Sequence, residues 1–177
     1  MKIFFDTEFT GLHQKTSLIS IAFISLDNRS FYAEFTDYKK SQLSEWHIEN
    51  VIAHLKNGTN QTSGQDWYVK GTRQTVAKHL ETWFMQFEKV EIWADVLAYD
   101  WVLFCELFGG AFGLPKNIHY QPFDVATLLL LKGEDPDINR EAFANLPNGE
   151  KHNALWDARV TKAVYEKAIL LKQKTQS

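Results

Sequence analysis

Apolar and polar positions along the chain change period part-way through. Three short apolar runs, "KIFFD" (2–6), "SLISIAFISL" (17–26) and "SFYAEF" (30–35), predict strands, with "LDNRS" as the turn between the last two. Together they read as an antiparallel meander. In "SEWHIENVIAHL" Ile48, Val51, Ile52 and Leu55 recur at helical spacing, and Val76, Leu80, Trp83, Phe84 and Phe87 do so in "TRQTVAKHLETWFMQF". Two amphipathic helices follow from that. The segment between them, 56–71, is polar, Gly-rich and aperiodic and reads as a loop. Beyond it strands and helices alternate: "VEIWA" (90–94) and "NIHY" (117–120) as strands, 98–108 and 125–131 as helices. A Pro- and acid-rich connection leads to a closing helix over 153–174. Alternation implies parallel crossovers, so the expected fold is α/β with a mixed five-stranded sheet, three antiparallel strands and then parallel ones, flanked by helices.

Composition narrows the class. At 177 residues, 45% hydrophobic and 14% aromatic, the chain can bury one full core, and a single domain over 1–177 is expected. Nineteen Lys plus Arg against 22 Asp plus Glu, net −3, argue against a broad basic surface for coating nucleic acid. They leave open a nucleic-acid enzyme whose metals supply positive charge locally. Cys105 is the single cysteine, which excludes an internal disulfide and a cysteine-based zinc cluster and makes a reducing compartment the default. "MKIFFDTEF" meets acids too early for a secretory core, and no run approaches the roughly 20 apolar residues of a membrane span. A soluble, cytoplasmic protein is expected.

Against that background several acids stand where apolar residues belong. Along a strand side chains alternate, so Phe4, Asp6 and Glu8 share one side while Ile3 and Phe5 take the other. The strand is apolar on both faces, as central strands are, which makes a solvated edge a poor home for the pair. Asp100 shares a helical face with Leu103, Phe104 and Leu107, and Asp157 shares one with Ala154, Thr161 and Val164. One such acid is a cap or a salt bridge; four would repel each other and take up protons unless a cation compensated them. Hard oxygen ligands without cysteine suit Mg²⁺, with Mn²⁺ as substitute, and a pair of such ions about 4 Å apart is the usual clamp for phosphodiester hydrolysis. His152, five residues before Asp157, is a candidate general base. His13, His47, His54, His79 and His119 have no comparable context.

The order "DTEFTGL", "AYDWVLF", "HNALWDA" resembles the three motifs of the DEDDh 3′→5′ exonucleases: Asp-x-Glu, a second-motif Asp, and His-x-Ala-x-x-Asp. The resemblance spans nearly the whole chain and implies a ribonuclease-H-like fold. It implies that Asp6, Glu8, Asp100 and Asp157 are metal ligands for two ions and His152 the general base. It also implies that "FTGL" meets the 3′-terminal nucleotide, with backbone amides near Phe9 and Thr10 and with Leu12 against bases; core packing is the alternative for Leu12. "WADVLAYDWVLFCELFG" and "DPDINREAF" look similar to the small bacterial exoribonucleases of the ribonuclease AS type, related to oligoribonuclease. That group implies RNA 3′ ends as substrate, an adenylate preference, nucleoside 5′-monophosphate products and a homodimer. Many members carry His-Asn ahead of the second-motif acid, where this chain has Asp95 and Val96. Asp95 is expected to cap a strand end or to support a ligand, and Asp124 to cap a helix.

A 3′→5′ exoribonuclease is therefore the expected activity. A DNA exonuclease of proofreading type and a nucleotide- or RNA-binding module without chemistry are the alternatives. Trp67, Tyr68 and Trp101 are candidates for base stacking, or else core or interface residues. The 56–71 loop either closes over substrate or is a surface insertion.

Overall fold

The computed structural model describes residues 1–147 and 149–172. Its centre is β1 (Lys2–Phe9), where Ile3, Phe4 and Phe5 are all fully buried. Burying a Phe or Ile side chain contributes about 1.5–3 kcal/mol, so this short run commits β1 to the middle of a sheet. β2 (Leu18–Ser25) and β3 (Ser30–Phe35) continue the meander, antiparallel to β1 and to each other as the pattern predicts. β5 (Glu91–Ala94) pairs parallel to the other side of β1, and β6 (Phe123–Asp124) parallel to β5.

The sheet has six strands, in the order β4-β3-β2-β1-β5-β6, rather than five. The extra one, β4 (Asp66–Gly71), lies inside the segment read as a loop and pairs parallel to β3. Tyr68 and Val69 are buried on it while Trp67 and Lys70 are only partly covered, too brief a pattern to show as a period. The expected strand at 117–120 is a single bridge, Val90 to Ile118, and the true strand lies just beyond it.

Period-two alternation sorts the aromatic residues to two faces. Phe5, Phe23, Trp83, Phe84 and Phe104 form one core under α2 (Arg73–Phe84) and α3 (Ala98–Glu106). Phe4, Tyr32, Leu129, Val164 and Tyr165 form the other, under α4 (Val125–Leu131), α5 (Arg140–Ala144) and α6 (Ala154–Leu170). α2 begins at Thr72, whose hydroxyl accepts from the Thr75 amide, and it buries Val76, Leu80, Trp83 and Phe84 as expected; Phe87 is buried just past its end.

The other helix of that pair differs. α1 (Glu45–Asn50) stops early and runs into a 3₁₀ turn, leaving Ile48 exposed and Val51 buried. A Ser44–His47 capping box at its start fixes where it begins, but six residues are too few to hold a buried stripe. α5 lies in what the sequence presents as a connection. The closing helix ends at Leu170; of its expected extent, residues 173 and 174 lie outside those described. No described helix is long and apolar enough to cross a membrane.

Candidate active site

β1 and β5 pair only from Lys2 to Phe4; beyond that β1 continues alone against β2 as far as Phe9. A crevice opens where the two strands part, outside their carboxyl ends, the place where α/β sheets collect ligands. Asp6 and Glu8 are the first residues of β1 on that side, and they turn toward α6, which brings Asp157 in its first turn. One carboxylate oxygen from each of Asp6, Glu8 and Asp157 lies within 4.8 Å of the other two. Thr7 points the other way. Its amide and hydroxyl both donate to Oδ1 of Asp100 on α3, at 3.0 and 2.6 Å, which fixes that carboxylate beside the trio without its being a member. Asp100 lines the same cleft, of about 770 Å³, as Asp6, Glu8, Asp157 and His152.

Electrostatics mark the cluster as unfinished. Burial first, then the charges of Asp100, Glu8, Asp157 and Asp95, push the Asp6 carboxyl well above the usual carboxylate range. Glu8 is pushed up to about 8 by burial and by Asp157 and Asp100. Asp157 rises to about 6, burial outweighing the hydrogen bond it receives from the His152 amide. Burial also raises Asp100, against the bonds from Thr7. Among the described residues no Lys or Arg forms an ion pair with any of the four. Oxygen donors gathered this tightly with no basic partner fit a hard divalent cation.

His152 stands at the lip. Its amide donates to Oδ2 of Asp157 at 3.0 Å, its backbone is left-handed at φ 63°, and its ring meets Trp46 edge-on at 4.8 Å between centroids. Burial and the charges of Lys151 and His54 hold the imidazole below its ordinary value, so it is neutral at pH 7 with a lone pair to accept a proton.

The "FTGL" residues separate. Phe9 lines the cleft and stacks on Tyr99 at 5.7 Å, and Leu12, 75% exposed, lines it too rather than joining the core. Thr10 is not brought there: it is buried, its amide donates to the Ser17 carbonyl at 3.0 Å, and its hydroxyl donates to Gln42 Oε1 at 2.7 Å. That amide is spent on Ser17, just before β2. Tyr68 is buried, and Trp67 and Trp101 pack on the core, so the cleft's aromatic residues are Phe9, Trp46 and Tyr99 instead. Tyr99 was readable beside Asp100; Trp46 and His47 carried no signal, lying on what reads as the outer face of a helix. Asp95 does not cap its strand. Arg140 grips it with two of its three guanidinium nitrogens, Nε to Oδ2 at 2.7 Å and Nη2 to Oδ1 at 2.9 Å. Asp124 does cap α4, accepting from the Thr127 amide at 2.8 Å.

A family model described as the Rv2179c-like 3′-5′ exoribonuclease domain matches residues 1–169. The chain belongs to that family. The 3′-5′ exoribonucleases Rv2179c and MT2234.1 from two strains of Mycobacterium tuberculosis are each 31% identical to it over 121 residues, 67% of this chain and 67% of theirs. Among solved structures, the Saccharomyces cerevisiae Pan2 pseudoubiquitin hydrolase–RNA exonuclease module in complex with RNA matches 98% of this chain and 29% of its own, with a TM-score of 0.51 at 17% identity. At that identity the likeness concerns the fold, and it agrees with the ribonuclease-H-like arrangement of an antiparallel meander followed by parallel strands.

Proposed function

We propose that this exoribonuclease-family chain, acting as one domain over 1–177, hydrolyses single-stranded or short RNA from the 3′ end and releases nucleoside 5′-monophosphates. The observation that carries this is the meeting, in one cleft, of three carboxylates within 4.8 Å that form no ion pair with a Lys or Arg among the described residues, a fourth held by Thr7, and a histidine whose imidazole is held below its ordinary value. Asp6, Glu8, Asp100 and Asp157 would hold two divalent cations, Mg²⁺ or in its place Mn²⁺. When bound, these would neutralise the phosphate and acidify the attacking water.

The chain's own residues do the rest. His152 takes the proton from the attacking water at its free ring nitrogen and, standing exposed at the lip, hands it to solvent. Thr7 keeps Asp100 oriented so that its second oxygen stays available. Phe9, stacked on Tyr99, and the exposed Leu12 give the terminal nucleoside an apolar seat, with Trp46 as a ring for stacking. A low net charge suits a short substrate gripped at its end, since few phosphates need neutralising. The setting this reading assigns is a cytoplasmic homodimer, supported by the single buried Cys105 and by exposed apolar side chains such as Val102 and Phe112. Sedimentation would report the oligomeric state.

The test is incubation of the protein with 5′-labelled oligoadenylate RNA and the matching DNA, each with Mg²⁺, Mn²⁺ or EDTA. A descending RNA ladder abolished by EDTA is expected. Equal cleavage of DNA would overturn RNA selectivity, and an EDTA-insensitive ladder would overturn the metal mechanism.

A further inference from the structure

Glu141 is a buried acid that the mechanism above leaves unused, only 5% exposed on the five-residue helix α5. Among the described residues, the polar contacts of its side chain go to one stretch of chain. Its Oε1 accepts from the Trp156 indole at 3.0 Å and from the Gly149 amide at 3.3 Å, and Lys151 Nζ stands 3.8 Å from Oε2. These residues flank His152 on both sides.

The backbone there has no slack. A Cβ at Gly149 would sit 1.9 Å from the Trp156 ring, so the chain lies flat on the indole and only glycine fits. Three residues later His152 takes a left-handed conformation, at φ 63°, that strains a non-glycine residue and persists only where its surroundings enforce it. Downstream the enforcement is visible: the His152 amide on Asp157, and Asn153 Oδ1 accepting from the Leu155 and Trp156 amides at 3.1 and 3.3 Å. Upstream, Glu141 grips the segment at the Gly149 amide and at Lys151. α5 is itself braced against the site, because neighbouring Arg140 holds Asp95 at the end of β5 and donates to the Ile138 and Pro136 carbonyls at 2.7 Å each.

We infer that Glu141 is a positioning residue for the reaction: by clamping Gly149, Lys151 and Trp156 it fixes where the His152 ring stands at the lip of the cleft that holds the carboxylate trio. This rests on His152 being the base. A displacement of about 1 Å in a reacting group can cost on the order of 100-fold, so the effect should fall on kcat rather than on binding.

The test is a double-mutant cycle read as kcat and KM on oligoadenylate RNA. Glu141→Ala should lower kcat about 10-fold or more while KM stays within about twofold, and Glu141→Gln, which keeps the acceptor oxygen, should recover most of the loss. Trp156→Phe, which keeps the ring but removes the indole donor, should reproduce part of it without depending on Glu141→Ala being well folded. Residues acting as one unit are non-additive, so adding Glu141→Ala to His152→Ala should slow turnover by less than about twofold further. If His152→Ala is slow and Glu141→Ala multiplies that loss in full, or if Glu141→Ala and Trp156→Phe both run at the wild-type rate, the positioning role is wrong and the base assignment stands. If His152→Ala itself runs at the wild-type rate, the base assignment falls and this inference with it.

Discussion

Two acidic regions of this molecule, at the far edge of the sheet and at the mouth of the cleft, solve the same problem in opposite ways. Glu34 on β3 is 1% exposed, yet it accepts from the Tyr68 hydroxyl at 2.8 Å and from the Asn57 amide at 3.1 Å, with Lys70 Nζ at 3.9 Å. Burial and Glu34 raise the Tyr68 phenol, which stays a donor at any physiological pH. That carboxylate has what a buried charge needs. Asp6, Glu8 and Asp157 face each other instead, with the His152 amide donating to Asp157, and burial with repulsion from neighbouring carboxylates pushes their carboxyls above the ordinary range. A satisfied buried acid marks structure; a cluster left unsatisfied by the protein marks a place for something the protein must bind.

The contrast breaks most completely at Asp6. Asp6→Asn should reduce exonuclease turnover by about 1,000-fold or more by removing a ligand, and yet raise the melting temperature of the metal-free protein by relieving repulsion. Loss of activity together with loss of stability would show Asp6 to be structural like Glu34. Next in size, His152→Ala should slow turnover by about 100-fold while Mn²⁺ still binds with near wild-type affinity in a calorimetric titration. Glu34→Ala inverts the pattern: stranding the Tyr68 hydroxyl and the Asn57 amide should cost about 2–3 kcal/mol in denaturant unfolding and leave turnover per folded molecule unchanged.

Acidity sharpens the same comparison. Glu8 and Asp157 have folded values of about 8 and about 6, above their ordinary 4.5 and 3.8, so the folded state holds protons that the unfolded chain releases. Their contribution is therefore fully present below the ordinary carboxylate range and is lost as pH rises toward 8, the reverse of a salt-bridged acid. The metal-free melting temperature should fall between pH 5 and 8, and Mn²⁺ should restore it more at pH 8 than at pH 5. A flat profile in thermal scans would contradict the cluster's electrostatics. The smallest effect belongs to Val96, a β-branched residue at φ 49° and 68% exposed: Val96→Gly should gain about 1 kcal/mol, roughly 2–4 °C in melting temperature.

What the sequence displayed followed from periodicity. Asp6 and Glu8 could be placed on one side of β1 because strands alternate, and Asp100 and Asp157 on inward helix faces because Leu103, Phe104, Thr161 and Val164 lie at helical spacing and are buried. What it hid depends on partners distant in the chain. β4 is a strand because β3 pairs with it and Tyr68 meets Glu34, 34 residues away. Asp95 is an ion-pair member because Arg140, 45 residues on, reaches it from a helix too short to show a period. Trp46 lines the cleft from α1, which ends at Asn50 although its apolar spacing runs on to Leu55.

The most direct measurement is the proton count that accompanies Mn²⁺ binding at pH 7, obtained by titration calorimetry in two buffers of different ionisation enthalpy. Release of about one proton or more per chain is expected, because Glu8 at about 8 must give up its proton to become a ligand, and the release should largely vanish in Asp6→Asn. Mn²⁺ binding with no proton released, or no binding by a folded protein, would contradict the assignment of these acids as a cation site.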